Sequence, residues 1–156
     1  MKKILFISST GGHLSELMQL KEMFERFQYY IVTEKTKSDE YLAEKYKGKV
    51  SYLAYGTKKT PFTYFFIFIF NIIKSLFIFI KQKPDVIITT GTHTAVPMCY
   101  IAKLFRKKVI YIETFANRKS KTVAGRLVYP IADVFVVQWK EMLEIYPKAK
   151  YWGWIY

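Results

Sequence analysis

The stretch FTYFFIFIFNIIKSLFIFI, residues 62–80, decides how the rest of the chain is read. Fifteen of its nineteen residues are apolar or aromatic; the others are Thr63, Asn71, Lys74 and Ser75. As a helix it is roughly 28 Å long, close to the hydrocarbon thickness of a bilayer. A span, however, would put its two flanks on opposite sides of a membrane, and both flanks are strand–turn–helix units that belong in one sheet. Asn71, Lys74, Ser75, Lys81 and Gln82 also fall on one stripe at helical spacing, and a lysine deep in a span costs about 3 kcal/mol. Two other readings stay open. One is a greasy core helix covering the sheet. The other is a helix that packs one side on the sheet and lays the other on a bilayer surface. A sheet needs a stripe of roughly 100°, and this apolar arc is wider, so the second is the expectation, with Phe65, Phe66, Phe68, Ile69 and Phe79 at the lipid. Lys58, Lys59, Lys81 and Lys83 flank the stretch and Arg106, Lys107 and Lys108 follow, which suits an anionic surface.

Outward from that stretch, the pattern is strand and helix in alternation. Ile4–Ile7 is a continuous apolar run ending in a glycine turn, the mark of a buried parallel strand. Leu14, Leu17, Met18, Leu20, Met23, Phe24 and Phe27 recur as one helix. Tyr29–Thr33 and Val50–Tyr55 are further strands, with a short helix over Ser38–Tyr46 capped by Ser38. Beyond the greasy helix, Val86–Thr90, Val109–Ile112 and Val134–Val137 are strands, and Ala95–Phe105, Lys121–Tyr129 and Lys140–Ile145 are helices. Six strands with helices between them predict a Rossmann-like α/β fold: a parallel sheet covered on both faces, in one domain over residues 1–156. Ligands in such sheets bind at the carboxyl ends of the strands.

The chain has 156 residues with 25 Lys and Arg against 12 Asp and Glu, a formal charge of +13. That favours polyanions: nucleic acid, anionic lipid or phosphorylated substrates. No basic–aromatic recognition motif supports nucleic acid, which is therefore not expected. The single Cys99 rules out an intrachain disulfide and sits in an apolar helix as a core residue. No signal peptide is expected at Met1-Lys2-Lys3. The absence of a clustered Asp/Glu motif leaves no metal expected on this chain.

Two loops carry the chemistry. Ser9-Thr10-Gly11-Gly12-His13 follows strand one, and Gly91-Thr92-His93-Thr94 follows strand four. Glycine turns with free amides at one sheet edge can cradle a diphosphate. The dinucleotide fingerprint is missing, but Glu34, ending strand two, stands where a ribose-binding acid would, so a nucleotide-binding enzyme stays open. Glu113 ends strand five and can pair with His13 or His93 as acid and base. Arg118, Lys119, Lys121 and Arg126 follow as candidate phosphate ligands.

Taken in order, these segments resemble a known family. The segments are Ser-Thr-Gly-Gly-His, then Lys-Pro-Asp-Val-Ile-Ile-Thr-Thr-Gly with Ala-Val-Pro, then Tyr-Ile-Glu-Thr-Phe-Ala, Ala-Asp-Val-Phe-Val-Val-Gln-Trp and Tyr-Pro-Lys-Ala-Lys-Tyr with Gly153. They look like the small membrane-associated subunit of two-part glycosyltransferases. One branch of that family makes chitobiosyl-diphosphodolichol in eukaryotes, and a bacterial branch serves capsule and exopolysaccharide assembly. The resemblance covers nearly the whole chain. It implies the N-terminal half of a GT-B glycosyltransferase such as MurG, holding a lipid-diphosphate-linked acceptor at the cytoplasmic membrane face. The UDP-sugar is implied on a separate partner chain, with no cofactor on this one. Gly11, Gly12 and His13 carry over, with His13 as the base that deprotonates the acceptor hydroxyl. Gly91 and Glu113 carry over to the second loop and the strand-five carboxylate. Many members have Arg directly after Phe-Ala; here Asn117 stands there and Arg118 follows. Eukaryotic members begin with an anchoring helix, so attachment here is expected to rest on residues 62–80. A carboxyl tail docks the partner in that branch, which makes Trp152, Trp154 and Tyr156 the expected partner contacts. A non-catalytic membrane scaffold for the partner is the remaining alternative.

Overall fold

The computed structural model describes residues 1–56 and 61–155. Lys58, Lys59 and Tyr156 therefore lie outside the described residues. Seven strands form one parallel sheet: β1 (Lys3–Ser8), β2 (Gln28–Glu34), β3 (Val50–Leu53), β4 (Val86–Gly91), β5 (Lys108–Ile112), β6 (Val134–Val137) and β7 (Lys150–Tyr151). Their order is β3-β2-β1-β4-β5-β6-β7. The central strands are apolar throughout because both faces are covered. Leu5, Ile7, Ile87, Val109, Tyr111 and Phe135 point to one core. Ile4, Phe6, Val86, Ile88, Ile112 and Val136 point to the other.

The first core lies under α4 (Pro61–Gln82), α5 (Val96–Leu104), α6 (Val123–Val128) and α7 (Met142–Ile145). The second lies under α1 (Gly12–Met18) and the segment that follows it. The helix expected from Leu14 to Phe27 is broken: α1 passes through a 3₁₀ turn at Gln19–Glu22 into the single turn α2 (Met23–Arg26). Leu14 to Leu20 is one residue short of two α-helical turns. A tighter turn of three residues brings Leu20, Met23 and Phe24 back under the same face as Leu17. Ser38 does not cap a helix. It sits inside a 3₁₀ turn (Lys37–Asp39) ahead of α3 (Tyr41–Lys45), and its hydroxyl bonds Thr36 and Asp39. The two-residue β7 escapes a periodicity reading because it is too short to show one.

Helix α4 is amphipathic in the inverse sense. Its buried stripe is Asn71, Ser75, Ile78 and Phe79, at the i, i+4, i+7 and i+8 spacing of one helix face. Phe62, Phe65, Phe66, Phe70 and Phe77 are all more than half exposed. Asn71 is inside because it completes the sheet. The expected strand through Tyr55 stops at Leu53, and the Asn71 carboxamide takes over at Ala54, accepting its N–H and donating to its C=O at 2.8 Å each. Phe79, expected at lipid, is buried at 3% and packs against Phe105 with ring centroids 5.1 Å apart. It lies eight residues after Asn71, hence on the inward face.

Replacing Asn71 by Leu adds apolar surface yet strips the Ala54 backbone of both partners. The expected result is a loss of about 2 kcal/mol in urea unfolding, with an unchanged slope. An Asn71→Leu protein as stable as wild type would show that the carboxamide is not what fixes α4 to β3.

Candidate functional site

Because β1 and β4 are neighbours, the two glycine loops meet. The Ser9 amide donates to the Gly91 carbonyl at 3.0 Å, and the Ser9 and Thr92 hydroxyls lie 3.3 Å apart. Glu34, 2% exposed, ties the loops from beneath: it accepts from the Thr10 amide and the Thr94 hydroxyl and lies 3.7 Å from His93 Nε2. The ribose-binding role considered for Glu34 is therefore set aside, since both of its oxygens are engaged beneath the loops. The Thr10 hydroxyl is likewise engaged, by Asp39.

Of the loop residues expected to hold phosphate, Ser9, Gly91 and Thr94 are buried as loop fastenings. Gly11 and Gly12 are exposed, and a Cβ on either would meet no atom of the described residues within 4 Å. Thr92 and His93 are half-buried at the same edge, joined by a 3.0 Å contact between Thr92 Oγ1 and His93 Nδ1. Gly91 has φ of 95°, and an added Cβ would stand 3.0 Å from the Tyr111 hydroxyl. Both the backbone angle and the space exclude a larger residue there.

His13 is anchored to loop four twice: Nδ1 lies 2.8 Å from the Thr90 carbonyl, and the Thr90 hydroxyl donates to the His13 carbonyl at 2.6 Å. A carbonyl can only accept, so Nδ1 carries a proton, and the tautomer of the uncharged ring is the one with its lone pair on Nε2. This is the tautomer a general base needs.

Glu113 has a different setting. Its carboxylate accepts from the Thr122 hydroxyl, the Tyr146 hydroxyl and the Thr114 amide, at 3.0–3.1 Å. It is 1% exposed, on the Tyr111 side of the sheet, with α6 laid against it: a Cβ on Gly125 would stand 2.3 Å from Oε2. Burial pushes its pKa up, against the opposing pull of the Tyr146, Thr122 and Thr114 hydrogen bonds and the His13 charge. The expected pairing with His13 is thus replaced by separate partners for each. Glu113 fastens the end of β5 to α6 and α7.

Sequence reasoning missed Glu16. It is 3% exposed on α1, and its Oε1 accepts from the Thr114 hydroxyl at 2.7 Å and the Phe115 amide at 3.0 Å. With Gly12, His13, Thr114, Phe115 and Ala116 it lines a cavity of about 440 Å³. The available signal was its spacing of three from His13, which sets both on one side of a helix. Beside this cavity lies an aromatic platform. Phe115 packs on Trp139 at 4.7 Å, Trp154 packs on both, and the Arg118 guanidinium stacks over Trp139 at 4.0 Å. Trp154 and Trp152 remain 58% and 63% exposed. Along α4, Phe65, Phe66 and Ile69 face outward, whereas Phe68 is half-buried in an apolar groove with Tyr64, His93 and Leu127.

The family model "Oligosaccharide biosynthesis protein Alg14 like" matches residues 4–155. The UDP-N-acetylglucosamine transferase subunit ALG14 of Debaryomyces hansenii is 30% identical, with 96% of this chain aligned to 75% of that protein. The Homo sapiens protein of the same name is 26% identical over 96% of this chain and 81% of its own length. Among solved structures, Acinetobacter baumannii MurG superposes with a TM-score of 0.69 at 16% identity, over 90% of this chain and 43% of that one. UDP-N-acetylglucosamine 2-epimerase from Rickettsia bellii gives 0.70 at 16% identity, over 99% and 45%. The chain thus spans less than half of each of these two folds, and the likeness bears on architecture alone.

The buried Glu113 carboxyl sets a pH test. Its raised pKa means that the folded state binds its proton more readily than the unfolded chain. The stability it contributes is complete below the ordinary value of 4.5 and is lost as pH rises through the raised value. Melting temperatures of wild type and Glu113→Gln between pH 4 and 8 should therefore diverge, the wild type losing ground as pH increases. A constant difference would contradict the burial account.

Proposed function

Since this chain belongs to the Alg14-like family of oligosaccharide biosynthesis proteins, we propose that it is the acceptor-binding subunit of a two-chain glycosyltransferase. It holds a lipid-diphosphate-linked sugar at the cytoplasmic membrane face, where a partner chain presents a UDP-sugar. One observation carries this reading: an open strand edge with a histidine anchored through Nδ1 and a helix with its apolar side outward belong to the same domain. The exposed side of α4 continues onto Phe105, just after α5, and onto Val123 and Leu127 of α6. An apolar surface of this breadth marks an interaction site. Exposed Lys81, Lys83 and Arg106 nearby complement anionic headgroups.

In this reading the diphosphate lies over Gly11 and Gly12 and against Thr92 and His93, with Arg118 supplying charge from the aromatic platform. The acceptor hydroxyl oxygen attacks the anomeric carbon of the donor sugar. The bond from that carbon to the diphosphate breaks, and the nucleoside diphosphate leaves with its electron pair. The hydroxyl proton passes to His13 Nε2, while Nδ1–H stays on the Thr90 carbonyl and stabilises the imidazolium. Glu113 acts at a distance, holding the β5 loop in place. Trp152 and Trp154 offer the partner a surface beside the donor-facing edge. A dinucleotide-dependent reading loses its acid with Glu34 engaged beneath the loops. A bare scaffold leaves the anchoring of His13 at the open edge without a purpose. The motif resemblance extends the proposal to capsule or exopolysaccharide assembly. The two relatives named above are a yeast and a human protein, so the acceptor panel should span dolichyl- and bacterial polyprenyl-diphosphate sugars.

Two measurements test this. In the assembled complex, His13→Ala should lower kcat about 10²- to 10⁴-fold with the donor KM unchanged. Wild-type turnover by that variant would remove His13 as the base. Separately, Phe65→Ser, Phe66→Ser and Ile69→Ser combined should abolish co-flotation with anionic vesicles while leaving the melting temperature in place. Unfolding of the triple variant would return α4 to the core.

A further inference from the structure

The cavity beside His13 contains a carboxylate that the proposed chemistry does not use. Glu16 is buried, and one of its two oxygens is doubly bonded, to the Thr114 hydroxyl and the Phe115 amide. The other oxygen, Oε2, is buried and makes no hydrogen bond of regular geometry among the described residues, with the Gln138 side chain exerting only the weakest pull on the group. A carboxylate oxygen shut away from water without a donor is costly, and a carboxylate that served only to fix the β5 loop would need just the first oxygen. Burial raises the Glu16 pKa, while Thr114, the Phe115 amide, the His13 charge and, more weakly, the Gln138 amide pull it down. The cavity is polar at Glu16 and His13, and Phe115 provides an apolar wall. A hydroxyl donor next to an aliphatic ring face satisfies all three: the donor fills Oε2, and the ring covers Phe115.

We propose that this cavity is the acceptor-sugar subsite, and that Glu16 Oε2 accepts a hydrogen bond from a ring hydroxyl next to the one deprotonated at His13. The ligand class is a pyranose with neighbouring hydroxyls. His13 and Glu16 lie three residues apart on α1, so they meet two groups on one edge of a sugar. Glu16 selects and positions; His13 takes the proton. This inference rests on the glycosyltransferase reading above.

Glu16→Gln isolates the claim. Its carboxamide oxygen can keep the Thr114 and Phe115 donors, which places an NH₂ where the unpartnered oxygen stood. The contacts of the first oxygen are kept, and only the second atom changes from acceptor to donor. Acceptor KM and kcat are measured for the assembled complex with lipid-linked N-acetylglucosamine and with its single-position deoxy analogues. Ligand-observed NMR of the corresponding methyl glycosides on the full chain runs in parallel. The wild type is expected to bind one deoxy analogue at least tenfold more weakly than the parent. Glu16→Gln should bind the parent tenfold more weakly and no longer distinguish the two, with the donor KM and melting temperature unchanged. If transfer proceeds and Glu16→Gln leaves the acceptor KM and the discrimination intact, the subsite is wrong and the glycosyltransferase reading stands. An equal loss across all analogues with a lowered melting temperature makes Glu16 purely structural and overturns the inference. If the wild-type complex transfers to no acceptor and no glycoside binds the full chain, both fall together.

Discussion

The parallel pairing of β1 with β4 is the constraint on which the molecule depends. Ile4 to Ile7 run beside Val86 to Thr89, so residues far apart in the chain share the centre of one sheet. The connection from β3 to β4 must return across the sheet without leaving its side, and α4 makes that return. The same pairing sets the two glycine loops against each other at the carboxyl edge, where Ser9 reaches Gly91 and His13 reaches Thr90. Fold, site and outward helix face are three results of one strand adjacency.

The edge so formed is fastened by buried acids. Glu34 joins the loops after β1 and β4, Asp39 holds Thr10, Glu16 joins α1 to the loop after β5, and Glu113 holds that strand end to α6 and α7. In a chain with only 12 acidic residues and a charge of +13, four carboxylates are placed inside, where hydroxyl and amide donors hold them, and the other eight are partly or fully exposed.

The sequence made the sheet legible because β1, β4, β5 and β6 are unbroken apolar runs, which few other structures permit. Gly11, Gly12 and His13 were legible because a glycine turn behind such a strand has a restricted set of uses. Partners made across the fold were not legible. Asn71 reads as the polar face of a helix until Ala54 is seen to need its carboxamide. Phe79 and Phe77 are the same residue two positions apart, and only the direction of the sheet distinguishes the core side chain from the exposed one. His13 and Glu113 suggest a catalytic pair on chemistry alone. The sheet sends Glu113 towards Tyr146 while His13 reaches Thr90. Glu16 was hidden by the same rule that finds helices, since a carboxylate among apolar positions is read as the solvent side.

Helix α4 runs against the strands. Its beginning sits at the carboxyl edge, where Tyr64 meets His93 with ring centroids 5.6 Å apart, and its end lies at the opposite edge, where Phe79 meets Phe105. A helix in this attitude, resting its outer face on a bilayer, lays the whole sheet flat along that surface. Under the proposed function, the opening then points neither up from the membrane nor down into it, but sideways. A lipid-borne sugar diffusing within its leaflet can slide its headgroup into the opening with its tail still among the other tails. The cost of lifting a long hydrocarbon chain into water never arises, and encounter becomes a search in two dimensions.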